Sequence, residues 1–160
     1  MYSDDDDEGM NPEEMPLFQK GKEIFALTSK IVELIPEDDE ILSVYKGFMI
    51  EDAAILSVKV AGAEAAGLYD IKMENAAIIR KSARDLLAHC SGLTMYKFKE
   101  IHYLRLIREA IEEYRLLFIE WVKTFDQWNY CVDRWGLFNP PGVDAHDQDP
   151  DDDLPPDEDD

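Results

Sequence analysis

Three histidines and two cysteines limit the chemistry open to this chain. Arg84 and His89 fall within the run Arg-Asp-Leu-Leu-Ala-His, near the expected end of a helix. An arginine can steady a phosphate while an imidazole moves the proton of a ribose 2′-hydroxyl. Residues five apart on a helix point about 140° apart. The pair therefore shares a site only if the helix unwinds, and Gly92 is the place where it would. The simpler reading is a surface arginine plus a histidine whose charge complements a helix C-terminus. We adopt it, so no catalytic residue is assigned and Arg84 with His89 stands as the alternative.

Asp52 is the most informative polar residue, because it falls on an apolar helical stripe. A buried carboxylate needs a partner or a raised pKa. Lys72 and Arg84 are the expected partners, in an ion pair that fixes helix register. Cys90 adjoins His89, but neighbouring helical residues face about 100° apart, so the thiol is not activated. Trp121, Phe125 and Trp128 recur at helical spacing and read as core or subunit packing. Trp135 joins them as an interface candidate. A di-iron bundle needs Glu-x-x-His on paired helices, and the sequence contains no such motif. Neither Gly-Leu-Thr nor Ala-Gly-Ala-Glu-Ala-Ala-Gly has the lysine or the setting of a phosphate loop. We expect no cofactor and no metal.

These residues sit on four apolar stripes of helical period. The first follows Pro16 with Leu17, Ile24, Phe25, Thr28, Ile31, Val32 and Ile35, and stops at Pro36. The second spans about 38–66 with Ile41, Tyr45, Phe48, Met49, Asp52, Ile55, Leu56 and Val60. Gly62 marks an expected close helix crossing, and Gly67 an expected C-cap. The third spans about 69–89 and stops at Gly92. The fourth spans about 100–128 and carries Leu104, Ile107, Ile111, Tyr114, Leu117, Phe118, Trp121 and Phe125. Trp128, Tyr130, Trp135 and Phe138 then precede Pro140 and Pro141. They either cap the bundle end or lie on a neighbouring subunit. The expected fold is all-α, an up-and-down antiparallel four-helix bundle over 15–139. Extra apolar residues on the side faces (Ile50, Val58, Leu106, Leu116 and Ile119) predict a homo-oligomer.

Charge is concentrated at the ends. The 160 residues carry a formal net charge of -20. Residues 1–14 hold seven acids and no base, and residues 144–160 hold ten acids and no base. The stretch between them is nearly balanced, at a net -3. Such acidic stretches cannot offset chain entropy by apolar burial, so residues 1–14 and 140–160 are expected to be disordered. They repel nucleic acid and anionic membrane. No basic-then-apolar leader and no run of eighteen apolar residues is present. The expected compartment is the cytoplasm, with both cysteines as buried thiols.

The chain resembles the four-helix-bundle family first noticed as products of intervening sequences in bacterial 23S ribosomal RNA genes. The resemblance covers about residues 17–125. It rests on the first helix ending in Glu-Leu-Ile-Pro-Glu-Asp-Asp (33–39), on Ala53-Ala54, and on the small-residue run from Val60 to Gly67. Where the family ends that helix in Ala-Glu-Gly, this chain has Ala66-Gly67. The resemblance implies an up-and-down bundle and a ring-like homo-oligomer. One branch of the family is a nucleic-acid-binding accessory of retroelements. That role needs clustered lysine and arginine, which the balanced body and acidic ends do not supply. The Arg84–His89 spacing is also similar to that of the HEPN group of metal-independent ribonucleases. The leading expectation is a non-enzymatic scaffold or adaptor acting through protein–protein contacts. The ribonuclease and the retroelement accessory are the alternatives.

Overall fold

A computed structural model describes residues 11–150. Four α-helices account for most of them, and no strand occurs among the described residues. Helix α1 spans Pro16–Val32, α2 Glu40–Ala66, α3 Tyr69–Met95 and α4 Leu104–Val122. Pro16 opens α1, where its missing N–H costs nothing. Asp39 caps α2, its carboxylate accepting the N–H groups of Ile41 and Leu42. Gly67 ends α2 in the left-handed region at φ 73°, as its sequence context predicts.

The bundle is up-and-down. Helix α2 packs most extensively, against α1 and α3; α1 also packs on α4, and α3 meets α4 more sparsely. The buried set runs through all four helices, including Ile24, Met49, Leu56, Ile79, Leu86, Ile107 and Tyr114. The closest helix approach lies at Gly21, not at Gly62. A Cβ on Gly21 would sit 2.5 Å from the Leu56 carbonyl oxygen, whereas one on Gly62 would meet open space. The same Leu56 oxygen accepts a 2.7 Å hydrogen bond from the buried Tyr114 hydroxyl. One carbonyl thus ties α4 to α2 where α1 crosses.

Two helix ends differ from the sequence expectation. Helix α3 runs unbroken past Gly92 to Met95, because that glycine serves packing: a Cβ there would lie 2.6 Å from the Tyr45 ring. The turn comes instead at Lys97, with φ 62°, and buries Phe98. Helix α4 ends at Val122 rather than near Trp128. Thr124 Oγ1 donates to the Trp121 carbonyl, and Asp126 accepts the Trp128 N–H. These short side chains offer the backbone an alternative to helix.

Helix α2 is apolar on two opposite sides. Its inner face buries Leu42, Met49, Ala53, Leu56, Val60 and Ala63. Its outer face carries Ile41, Val44, Phe48 and Val58 exposed, with Ile55 half-buried. The sequence reading merged these into one stripe. Tyr45 and Asp52 lie on the flank between the two faces.

The chain after α4 is folded through residue 150. Residues 140–149 fall in the expected disordered acidic segment, yet they form hydrogen-bonded turns. Their acids act as acceptors: Asp149 accepts the Val132 N–H, Asp147 the Asp144 N–H and Asp144 the His146 N–H. Arg134 donates to the carbonyls of Ala145 and Asp147. Residues 11–14 also fall in an expected disordered segment, yet Pro12–Glu14 form a single 3-10 turn capped by Asn11; residues 1–10 and 151–160 lie outside the described residues.

Candidate functional site

Two places gather the residues that the sequence singled out. The first is the flank of α2 against α3. There Asp52 Oδ2 lies 2.8 Å from His89 Nδ1, and both side chains are largely buried. Asp52 therefore pairs with His89, not with Lys72 or Arg84. Lys72 lies 3.7 Å from Glu64 and its ammonium rests over the Phe125 ring. Arg84 is exposed and takes no hydrogen bond or ion pair among the described residues. Burial raises the Asp52 carboxyl above the ordinary aspartate value, with the His89 hydrogen bond pulling the other way and the Asp85 and Glu51 charges adding a small rise.

Phe48 stacks on the His89 ring at 5.5 Å between centroids, and Tyr45 meets it edge-on at 5.7 Å. Tyr96 closes the cluster against Tyr45. These side chains line a surface hollow of about 470 Å³, bounded further by Glu40, Ile41 and Val44. An imidazole whose Nδ1–H donates to a carboxylate has its tautomer and orientation fixed. That arrangement suits proton transfer, but the arginine of the alternative reading is not brought to it. Helix α3 does not unwind between Arg84 and His89, so the two side chains keep their helical separation.

The second place is the segment after α4, at the end of the bundle where α2 turns into α3. Asn129 clasps that turn: its side chain donates to the Gly67 carbonyl, and its own carbonyl accepts the Tyr69 N–H. Asp133 organises the next loop. Its carboxylate accepts the N–H groups of Trp135, Leu137 and Phe138, while its backbone exchanges hydrogen bonds with the Asn139 side chain. These donors, with Phe138 and Trp135 foremost, hold the Asp133 carboxyl below the ordinary aspartate range. Gly136 takes the left-handed φ of 72° that this tight loop requires. The result is a hydrogen-bonded knuckle that leaves Trp128 88%, Trp135 95% and Leu137 73% exposed.

The tryptophans named from sequence thus divide. Trp121 and Phe125 are buried in the core, ring against ring at 4.7 Å, and Trp121 Nε1 donates to Glu64. Trp128 and Trp135 are displayed to solvent rather than folded back as a cap. The cysteines divide as well. Cys90 is buried, and burial raises its thiol to about 11. Cys131 is exposed, which corrects the expectation of two buried thiols. No group of three or more metal-ligating side chains occurs among the described residues, and no helix there is long and apolar enough to cross a membrane.

Sequence reasoning missed Asp133, Asn129 and Gly21. Asp133 carries a signal, since Asp133 and Asn139 bracket a short glycine-containing run of the kind that marks side-chain-capped turns. The close approach at Gly21 leaves no local signature. Comparison of the chain with protein-family models, with curated proteins and with solved structures finds no match.

Proposed function

We propose that the protein is a non-enzymatic helical scaffold that works by protein–protein contact, beginning with a second copy of itself. The observation that carries this reading is the outer face of α2. Ile41, Val44, Phe48, Ile55 and Val58 recur there at the spacing of a coiled-coil seam, with Glu51 the one charged residue in the row. A helix already packed on α1 and α3 has no structural need for a second apolar face of this length. Apolar rows left on a monomer surface mark interaction sites. Charge favours a second copy at this face, because residues 15–143 are close to electroneutral and two such surfaces meet without strong repulsion. The resemblance to bundle proteins that form ring-like oligomers supports the same reading.

Sedimentation equilibrium over a concentration series tests it. The mass rises above the 18.4 kDa of one chain, and Phe48→Glu returns it to that value without loss of helical circular dichroism. A wild-type mass of one chain at every concentration refutes the reading.

A further inference from the structure

The knuckle after α4 has a different occupant. We infer that it docks a basic amphipathic segment of a partner protein, an inference that rests on the scaffold reading above. Three observations carry it.

The first is rigidity combined with exposure. Trp135 and Leu137 are almost wholly in solvent, yet their backbone N–H groups are fixed on Asp133. A backbone fixed before binding has less entropy left to lose, and tryptophan is enriched among residues that dominate binding energy. The second is an acidic hollow. Trp135 and Leu137 border a hollow of about 400 Å³ that is also lined by Asp70, Glu74 and Asp133. A lysine or arginine entering the hollow would meet these carboxylates.

The third observation is the charge of this end of the molecule. The described segment 126–149 contains five acids and one arginine. Glu13 and Glu14 precede the start of α1, which lies at the same end of the bundle. A second copy would bring the same charge and be repelled. A basic partner is drawn in, and its apolar side then meets Trp135 and Leu137. The α2 seam and the knuckle thus select opposite kinds of partner by charge.

The test uses the full chain and two synthetic peptides of equal positive charge, a leucine–lysine amphipathic helix and a glycine–lysine peptide. Titration calorimetry at physiological ionic strength is expected to show the leucine–lysine peptide binding at least tenfold more tightly. Trp135→Ala with Leu137→Ala is expected to erase that preference, while charge-driven binding of both peptides remains. Both side chains are exposed, so the melting temperature of the double variant stays that of the wild type. Equal binding of the two peptides, absence of binding, or a preference that survives the double variant overturns the proposal. A double variant whose solution mass drops assigns the knuckle to a second copy and overturns it too. Failure of the scaffold reading is seen separately, in a wild-type mass that never exceeds one chain.

Discussion

Asp133 turns one carboxylate toward three backbone N–H groups, and the loop that presents Trp135 depends on it. Its folded pKa lies below the ordinary value, so the folded loop binds fewer protons than the unfolded one. The stabilisation is therefore complete above the unfolded pKa of about 3.9 and is lost as pH falls through the folded value. As pH falls below the unfolded value, the amides of Trp135, Leu137 and Phe138 should lose protection, measured against their intrinsic exchange rates, before those of the α2 core. Asp133→Ala should show the same loss already at neutral pH. Unchanged protection of these amides in the variant would contradict the role assigned to the carboxylate. At this scale the sequence was partly legible. Asp52 stood out as a carboxylate on an apolar stripe, and the structure does bury it in part. Its partner did not stand out, because His89 lies on another helix and periodicity within one helix says nothing of register between two. The acids from Asp144 onward read as charge alone, yet Asp144, Asp147 and Asp149 are turn acceptors. Composition records how many carboxylates a segment holds and not which N–H groups lie within reach.

Helix existence follows from the 3.6-residue period, and all four helices appear where the stripes place them. Their partition into faces was less legible. Helix α2 has apolar residues on opposite sides, so a single stripe drawn through Ile41, Phe48, Met49 and Leu56 mixes solvent-facing with core-facing positions. Burial separates the faces, whereas hydrophobicity alone cannot. Glycines were ambiguous for a related reason. Gly67 has a local conformational signature and was identified, while Gly21 and Gly92 answer to neighbours distant in sequence. Gly21→Ala tests the helix crossing. In an exposed helix interior this change stabilises by about 1 kcal/mol. At Gly21 the new methyl meets the Leu56 backbone, and overpacking of this kind costs about 1–3 kcal/mol. Clash exceeds propensity, so the variant should melt several degrees lower than the wild type. An equal or higher melting temperature would show that α1 and α2 are less closely apposed.

The whole molecule separates two surfaces along its length. The sides of the bundle are near neutral, and α2 adds an apolar row to them. The end where α1 starts and α4 stops carries the acidic segment 126–149 and with it the knuckle. The fold class could be read before any coordinates, since length, four stripes and short connections leave few architectures. The two-surface arrangement could not, because it depends on which helix ends come together and on how the chain after α4 is pinned to the α2–α3 turn. The central claim is that the outer face of α2 meets a second copy. The most direct measurement is a dipolar electron-resonance distance from one spin label per chain, placed by Lys59→Cys beside the seam in a Cys131→Ser background. Cys90 is buried, with its thiol raised to about 11, and so stays unlabelled. With a single label, any dipolar signal comes from another chain. The account predicts a defined intermolecular distance that vanishes when Phe48→Glu is added; no dipolar signal in the parent, or one unaffected by Phe48→Glu, would contradict it.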